Sequence, residues 1–483
     1  MKKNRKQPKS KPRIRLTQFQ VSLLGLQAIL TLWLSITLLV NQVMPNFLTI
    51  VVIAIMMSLN LITLYQFWMS WERRIKLRRR YLALSLVSIV LAVGALVMVA
   101  QSERLINKIR AAHDNYVHIS LVAPQGPITL GEVRHIKYTR LSDEPYLDAV
   151  LEQLKIESNS VADYQALTQA LFNQQATAIL VNEAYRDLIA DIEPDFAKKT
   201  KVLRTFKFNK EQFERLSKPV ALPSYKQEPF NLYLSGIDTY GNVATVSRSD
   251  VNIVANINPI TRRIVLVNVP RDAYVKIPGG GQNQFDKLTH AGLYGASASM
   301  GALENLLSVP IKYYVRINFT SLMRVIEYLN DVTVDNPIGF QAVTGDYFAQ
   351  GRIKLNSKQA LAYARERKHL SGGDFDRGAN QQRLIQAIVQ RVSQQKDPTS
   401  LYQALDRLSD ALQTNIPKEL IKQLLSSHIT KTGDWHFETV NVTGRGQTGG
   451  LKSFAMPNAQ LYMMVPNPQS VAEAQAKIRA NSQ

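Results

Sequence analysis

From Leu16 to Trp71 the chain carries no charged residue, and from Tyr81 to Gln101 it again carries none. The first run is broken by Asn41-Gln42-Val43-Met44-Pro45-Asn46, whose polar residues and proline read as a short turn. The pattern predicts three helices at about 21–40, 47–69 and 81–100, each near the roughly 20 residues needed to cross a bilayer. The first span is too deep in the chain, and too poor in small residues at its end, to be a removed signal peptide. Beyond 101 the pattern changes to short apolar runs alternating with amphipathic ones. VHISLVAP reads as a strand, DAVLEQLKI and DYQALTQALFN as helices, and TAILVNEAYRDLI as a strand and a helix. These predict a small accessory α/β domain over 115–215, with no phosphate loop and no His or acid cluster to give it a role. The prolines of SKPVALPSYKQEP mark a linker, 216–229. A larger α/β domain is expected over 230–483.

In that domain NLYLSGI, Ile253–Ile257 and Ile264–Val269 read as strands. HAGLYGASASMGALENLL reads as a helix, KYYVRIN as a strand, FTSLMRVIEYLN as a helix and DVTVD as a strand. Asn356 and Ser357 cap KQALAYAR. ANQQRLIQAIVQRV reads as a long helix with Leu384, Ile385, Ile388, Val389 and Val392 as its buried stripe. Further helices are expected near 401–412 and 417–426, then the strand WHFETVNV, a glycine-rich loop 444–450 and the strand QLYMMV.

Charge refines this. The 483 residues carry 58 Lys/Arg against 37 Asp/Glu, a net of +21. Residues 1–15 hold eight of the cations and no acid, and Glu72–Arg80 holds a net of +5, so only +8 remains for the rest. Basicity is therefore a membrane-topology signal rather than a nucleic-acid footprint. It keeps the tail 1–20 and the loop 72–80 in the cytoplasm and places everything after about 101 outside, in a multi-pass protein of the cell membrane. Cysteine is absent, which excludes disulfides, Cys-ligated zinc and a catalytic thiol.

The candidate chemistry lies at element ends. Asp238 follows the first strand of the larger domain, Arg248 and Asp250 precede the second, and Arg271 and Asp272 end the third. In α/β domains the crevice at strand ends is where ligands bind. Arg365 and Arg367 would point apart on a helix but together in an extended segment, so the helix is expected to end near Ala364. Asp374, Asp376 and Arg377 open the long helix, Asp376 as its cap or as part of the site. Arg377 and Gln381, at i and i+4, share a face opposite part of the apolar stripe. Five arginines at element ends fit a pyrophosphate, which guanidiniums clamp bidentately. Such a ligand is bridged by Mg²⁺ held on one or two carboxylates, with Asp238 and Asp250 the best candidates. His290 as a base and Gly279–Gly281 as a phosphate cradle are weaker readings, since THAGLYG opens a helix and no helix directly follows the glycines.

SGIDTYG…SRSDVNI, VPRDAYV, DKLTHAGLYG, YYVRINF, LNSKQALAYARER and DFDRGANQQRLI, in this order, resemble the LytR–CpsA–Psr family. The motifs cover about 230–390, and the layout of spans plus accessory domain is similar to its CpsA-type members. The resemblance implies an αβα-type mixed sheet and an extracytoplasmic phosphotransferase. Such enzymes move a glycopolymer (capsular or exopolysaccharide, or teichoic acid) from a polyprenyl pyrophosphate carrier to peptidoglycan. The lipid tail lies in an apolar tunnel and Mg²⁺ sits on the pyrophosphate. By motif, Asp238 and Asp250 are the metal-side acids, Arg248, Arg271, Arg365, Arg367 and Arg377 the clamp, and Asp374 and Gln381 polar lining. The catalytic set expected on this basis is Asp250, Arg271, Arg365, Arg367 and Asp374. Two departures stand out: Leu329-Asn330-Asp331-Val332 where many members have Leu-Gly-Gly-Val, and Val251 where many have Thr. The competing readings are a non-catalytic module that binds carrier or wall polymer, and a transcriptional regulator. The second conflicts with a body outside the membrane, and no nucleic-acid partner is expected.

Overall fold

The computed structural model describes residues 11–41, 46–72, 78–111, 116–139, 144–209, 228–237, 247–394, 412–417, 420, 421, 424 and 434–483. The expected helix near 401–412, most of that near 417–426, most of the linker 216–229, the basic tail 1–10 and Asp238 lie outside these residues. The chain divides into two units, 1–107 with 418–432 and 108–417 with 433–483.

The first unit contains α1 (Lys11–Asn41), α2 (Asn46–Glu72) and most of α3 (Arg78–Ala111). Within them Gln18–Val40, Phe47–Met69 and Leu82–Gln101 are long and apolar enough to cross a membrane. Two pairs of polar groups link α1 and α2: Gln27 donates to Thr63 at 3.1 Å, and Asn60 to Thr31 at 2.7 Å. Where water is excluded, such pairs hold helices together.

The second unit begins with a five-stranded sheet of order β3-β2-β4-β1-β5. Its strands are β1 (Tyr116–Pro124), β2 (His135–Thr139), β3 (Glu157–Val161), β4 (Ala178–Asn182) and β5 (Thr200–Asn209). Helices α4 (Glu144–Leu154), α5 (Tyr164–Phe172), α6 (Arg186–Ile192) and α7 (Phe196–Lys199) complete this accessory layer. Leu293, Ala455 and Met456 of the larger domain enter its core. The segment that carries Ala455 and Met456 is held by one acid. Asp286 is fully buried and accepts from Ser453 Oγ at 2.7 Å and from the Ala455 N–H at 2.8 Å, while His290 Nδ1 lies 2.8 Å away.

Burial works to raise the pKa of Asp286, but His290 and the donated hydrogen bonds outweigh it and the net shift is downward. A carboxyl held below its ordinary value of 3.8 contributes stability in full above that value and loses it as the pH falls through the folded pKa. Asp286→Asn is expected to cost about 1–2 kcal/mol in chemical denaturation at pH 7. The deficit relative to wild type should shrink below about pH 4, and a pH-independent deficit would contradict this account.

The main sheet has the order β16-β11-β6-β7-β8-β17. It comprises β6 (Phe230–Ile237), β7 (Ser249–Asn258), β8 (Arg263–Asn268), β11 (Tyr313–Asn318), β16 (Gln413–Thr414) and β17 (His436–Asn441). β6, β7 and β8 run antiparallel, whereas β11 joins β6 and β17 joins β8 in parallel, so the sheet is mixed. Near-continuous burial of β8 (only Arg263 is exposed) reflects helices on both faces. One face is covered by α9 (Ala296–Leu307) and α13 (Pro468–Asn481) through Ala302, Leu303, Ala474 and Ile478. The C-terminal helix is tied down by a buried amide chain in which Asn481 donates to Asn256 at 2.7 Å and Asn256 to Asn231 at 2.8 Å. The other face meets α10 (Phe319–Tyr328), α11 (Ser357–Arg365) and α12 (Asp374–Ser393).

Three expectations are corrected. The run HAGLYGASASMGALENLL is not one helix. It is α8 (Leu288–Ala291), a single 3-10 turn and α9, because Gly295 takes φ +97°, outside helical geometry. The 444–450 segment is mostly β18 (Gly444–Thr448), paired with β19 (Tyr462–Pro466), since the ladder hydrogen bonds outweigh the weak strand preference of glycine. Gly279–Gly281, expected as a flexible loop beside the site rather than a phosphate cradle, forms a 3-10 turn between β9 (Tyr274–Ile277) and β10 (Gln284–Lys287). The departure at Asn330-Asp331 is absorbed because Asn and Asp tolerate left-handed geometry, with φ of +52° and +73° after α10. Also present are β12 (Val332–Asn336), β15 (Gly351–Leu355) and a small hairpin, β13 (Phe340–Gln341) with β14 (Tyr347–Phe348).

Candidate functional site

A cavity of about 810 Å³ opens between the main sheet and helices α10, α11 and α12. Its walls are Leu234, Val251, Val315 and Ile317 from the strands, and Phe319, Leu322, Met323, Leu361, Leu384, Ile385 and Ile388 from the helices. At one end stand Asp250, Arg271, Arg365, Arg367, Arg377 and Gln381. The arrangement is amphipathic, with a long apolar chamber and a cationic mouth.

Each charged residue is placed by a local feature. Asp250 is the second residue of β7. Its Oδ2 accepts from Arg271 Nη1 at 2.6 Å and its Oδ1 from Thr289 Oγ1 at 3.0 Å. Burial works to raise its pKa, but Arg271, Arg248 and Arg377 outweigh that, so the carboxyl is held below its usual range. Arg271 follows β8 after Val269-Pro270. Burial opposes its charge, yet Asp250, Asp272 and Asp374 raise its pKa overall. Arg271 Nε is buried without a hydrogen-bond acceptor, the closest acids being Asp272 and Asp374 at 4.0 Å. A buried donor without an acceptor leaves a hydrogen bond that a bound anion could take up. Asp272 is otherwise engaged by Lys287 at 2.5 Å.

Helix α11 ends at Arg365, and Glu366 is extended at φ −61°, ψ 132°, one residue later than the sequence reading. Arg365 and Arg367 therefore both reach the cavity, Arg365 with its guanidinium 4.2 Å from the centre of the Phe319 ring. Glu366 between them turns inward and is 4% exposed. Its carboxylate accepts the N–H groups of Val343 at 2.6 Å and of Arg367 and His369 at 2.9 Å each. Burial alone would raise its pKa, and those three bonds lower it. Sequence reasoning passed over Glu366, yet the signal was present: if both arginines face a ligand from an extended segment, the residue between them must face the protein.

Arg377 and Gln381 lie on α12, with Gln381 donating to the Ala364 carbonyl at 3.1 Å. They do not stand opposite the apolar stripe. Positions 377, 381, 384 and 388 share one face, and all four line the cavity. Asp374 is not part of the cavity wall. It pairs with Arg377 Nη2 at 2.6 Å, and burial pushes its carboxyl up despite Arg377 and Arg271. Arg248 is likewise absent from the wall but close enough to Asp250 to depress its pKa. Asp376, in the third position of α12, accepts the Gly372 N–H at 2.7 Å and so ties the preceding turn to the first turn of the helix. His290 is 1% exposed and turned to Asp286, away from the cavity.

The close seat of α12 depends on Gly378, where an added Cβ would lie 2.2 Å from Asn268 Nδ2. Asn268 is buried at the end of β8, so the helix would have to move. Gly378→Ala is expected to fold but to lose about tenfold in kcat, because displaced catalytic groups are costly. Steady-state kinetics below the thermal midpoint, itself expected to fall through overpacking, would check it.

Among the described residues no group of three or more acids or histidines could hold a metal ion. Asp250 alone, with the oxygens of a bound pyrophosphate and water, nonetheless fits the way Mg²⁺ is held on one or two carboxylates plus substrate.

The LytR_cpsA_psr family model matches residues 190–469. A polyisoprenyl-teichoic acid–peptidoglycan teichoic acid transferase TagU of Enterococcus faecalis is 35% identical over 226 residues, 46% of this chain and 73% of that protein. The protein of the same name from Halalkalibacterium halodurans is 29% identical over 264 residues, 54% of this chain and 82% of its own. The crystal structure of B. subtilis TagV overlays 53% of this chain and 98% of its own at 26% identity and a TM-score of 0.45. With more than half of its length matched by the family model, the chain belongs to the LytR–CpsA–Psr family.

Proposed function

We propose that this protein transfers a wall glycopolymer from a polyprenyl pyrophosphate carrier to peptidoglycan, as the names of its transferase relatives indicate for them. The observation that carries the reading is the two-part cavity. Its apolar chamber suits an isoprenoid tail, and four arginines and one carboxylate at its end suit a pyrophosphate. Teichoic acid is favoured as the polymer by the relatives, and a capsular polysaccharide is the alternative.

The chemistry is an in-line displacement. An acceptor sugar hydroxyl attacks the phosphorus that bears the polymer. The bridging P–O bond breaks, polyprenyl phosphate leaves, and the polymer remains attached to the acceptor through a phosphodiester. Arg271 and Arg377 flank the bridging region, and Arg365 and Arg367 take the more exposed oxygens. Together they stabilise charge that grows on the leaving phosphate. Asp250 lines the cavity and is the carboxylate that takes the hydroxyl proton. Asp374 acts on Arg377 rather than on substrate. Mg²⁺, where bound beside Asp250, would offset pyrophosphate charge. The basic flanks of the spans support a catalytic body outside the cell.

The test is the full chain in nanodiscs with polyprenyl-pyrophosphate-linked oligosaccharide and a peptidoglycan oligomer. Polyprenyl phosphate is expected to form in step with polymer–peptidoglycan conjugate and to fall at least tenfold with EDTA. Carrier binding without conjugate at any Mg²⁺ concentration would instead make the protein a receptor.

A further inference from the structure

The rim of the cavity has a feature that catalysis does not use. The hairpin of β13 and β14 stands beside the mouth, with Val343, Thr344 and Asp346 in the cavity wall. Its inner side is packed, since Phe340 and Phe348 lie 5.6 and 5.3 Å from the ring of buried Tyr363. The Val343 N–H is fixed by Glu366 at 2.6 Å, which joins the hairpin to the arginine segment. Beside exposed Gln341 and Thr344 its outer side carries three large apolar side chains in solvent: Ile338 is 66% exposed, Val343 62% and Tyr347 67%. A rigid base holding three large apolar side chains towards solvent, next to the opening of an apolar chamber, marks an interaction surface.

Charge identifies the partner. Around the same opening Lys358, Arg365, Arg367 and Lys368 are exposed, whereas the carboxylates of the wall, Asp250, Asp346 and Glu366, are half-buried or buried. Apolar side chains flanked by lysines and arginines fit the boundary between acyl chains and anionic headgroups, where the apolar groups enter and the cations pair with phosphates. A protein partner of similar chemistry would have to match both features, whereas a bilayer supplies both. We propose that the Phe340–Phe348 hairpin and the cationic segment 358–368 form a docking rim that rests in the headgroup layer of an anionic membrane. The cavity mouth then opens directly onto lipid, and a long-chain substrate enters from the leaflet without crossing water.

The chain has no cysteine, so a single introduced thiol reports one position. The full chain bearing Val343→Cys with a nitroxide label would be placed in phosphatidylglycerol vesicles. The control is Ile260→Cys, a position 60% exposed at the far end of β7. At 343 the label is expected to be accessible to oxygen and shielded at least fivefold from a water-soluble nickel chelate relative to 260. Lys358→Gln with Lys368→Gln should return it towards water. Equal nickel access at 343 and 260 would overturn the proposal. So would shielding at 343 that persists in lipid-free amphipol, which would assign the face to protein contact. The measurement needs neither carrier nor acceptor, so its failure would leave the transferase reading untouched.

Discussion

Arg271→Ala is expected to lower transfer by about two to three orders of magnitude with little change in the amount of carrier bound, the usual loss when one preorganised donor is removed. The reason lies in its surroundings. Arg271 touches Asp250 at 2.6 Å, stands 4.0 Å from Asp374 and Asp272, and keeps Nε free of any hydrogen-bond acceptor. It is the direct partner of Asp250, while Asp374 and Asp272 have Arg377 and Lys287 as their nearer partners. Its removal takes away a donor to the phosphates and also releases Asp250, whose pKa is held down first of all, among its neighbours, by this arginine. Asp250 should then titrate higher, so the acid limb of the rate profile moves to higher pH as well as lower amplitude. Arg271→Lys should restore charge but not the forked geometry, recovering part of the pH shift and little of the rate. A rate within tenfold of wild type for Arg271→Ala would show that the phosphates bind elsewhere.

Much of this site was legible in the sequence because its residues sit where regular structure stops. Arg271 after a strand and Arg365 and Arg367 at a helix end were found by asking which side chains an element end would bring together. The period of α12 was read correctly but one inference from it was not. The apolar stripe was taken for a core face, when Ile385 and Ile388 are only half-buried because they line a cavity. Periodicity reports that a face avoids water; it does not report whether side chains or empty space lie opposite. The docking of Met456 into the accessory core and the Asp286 clamp were not legible, because each depends on contacts between distant segments. The 444–448 strand was hidden for a related reason: only pairing with 462–466 overrides its glycines.

Ile388→Gln separates the two halves of the cavity and should have the second-largest effect. On α12 residue 388 lies eleven positions beyond Arg377, roughly 16 Å along the axis at 1.5 Å per residue, so it touches no phosphate. It is half-buried in the chamber wall, and an amide of similar size can be housed there without displacing the helix. The amide would face an isoprenoid tail and lose its water when the tail enters. The combined loss of apolar contact and burial of an unpaired amide is on the order of 2–3 kcal/mol, or about 30–150-fold in KM for a full-length carrier. A soluble pyrophosphate analogue with a tail too short to reach 388 should be turned over as by wild type. Arg271→Ala makes the opposite forecast, a loss of turnover for both substrates. If Ile388→Gln slowed the short analogue as much as the long one, the chamber would not be the seat of the lipid, and the apolar lining would need another occupant.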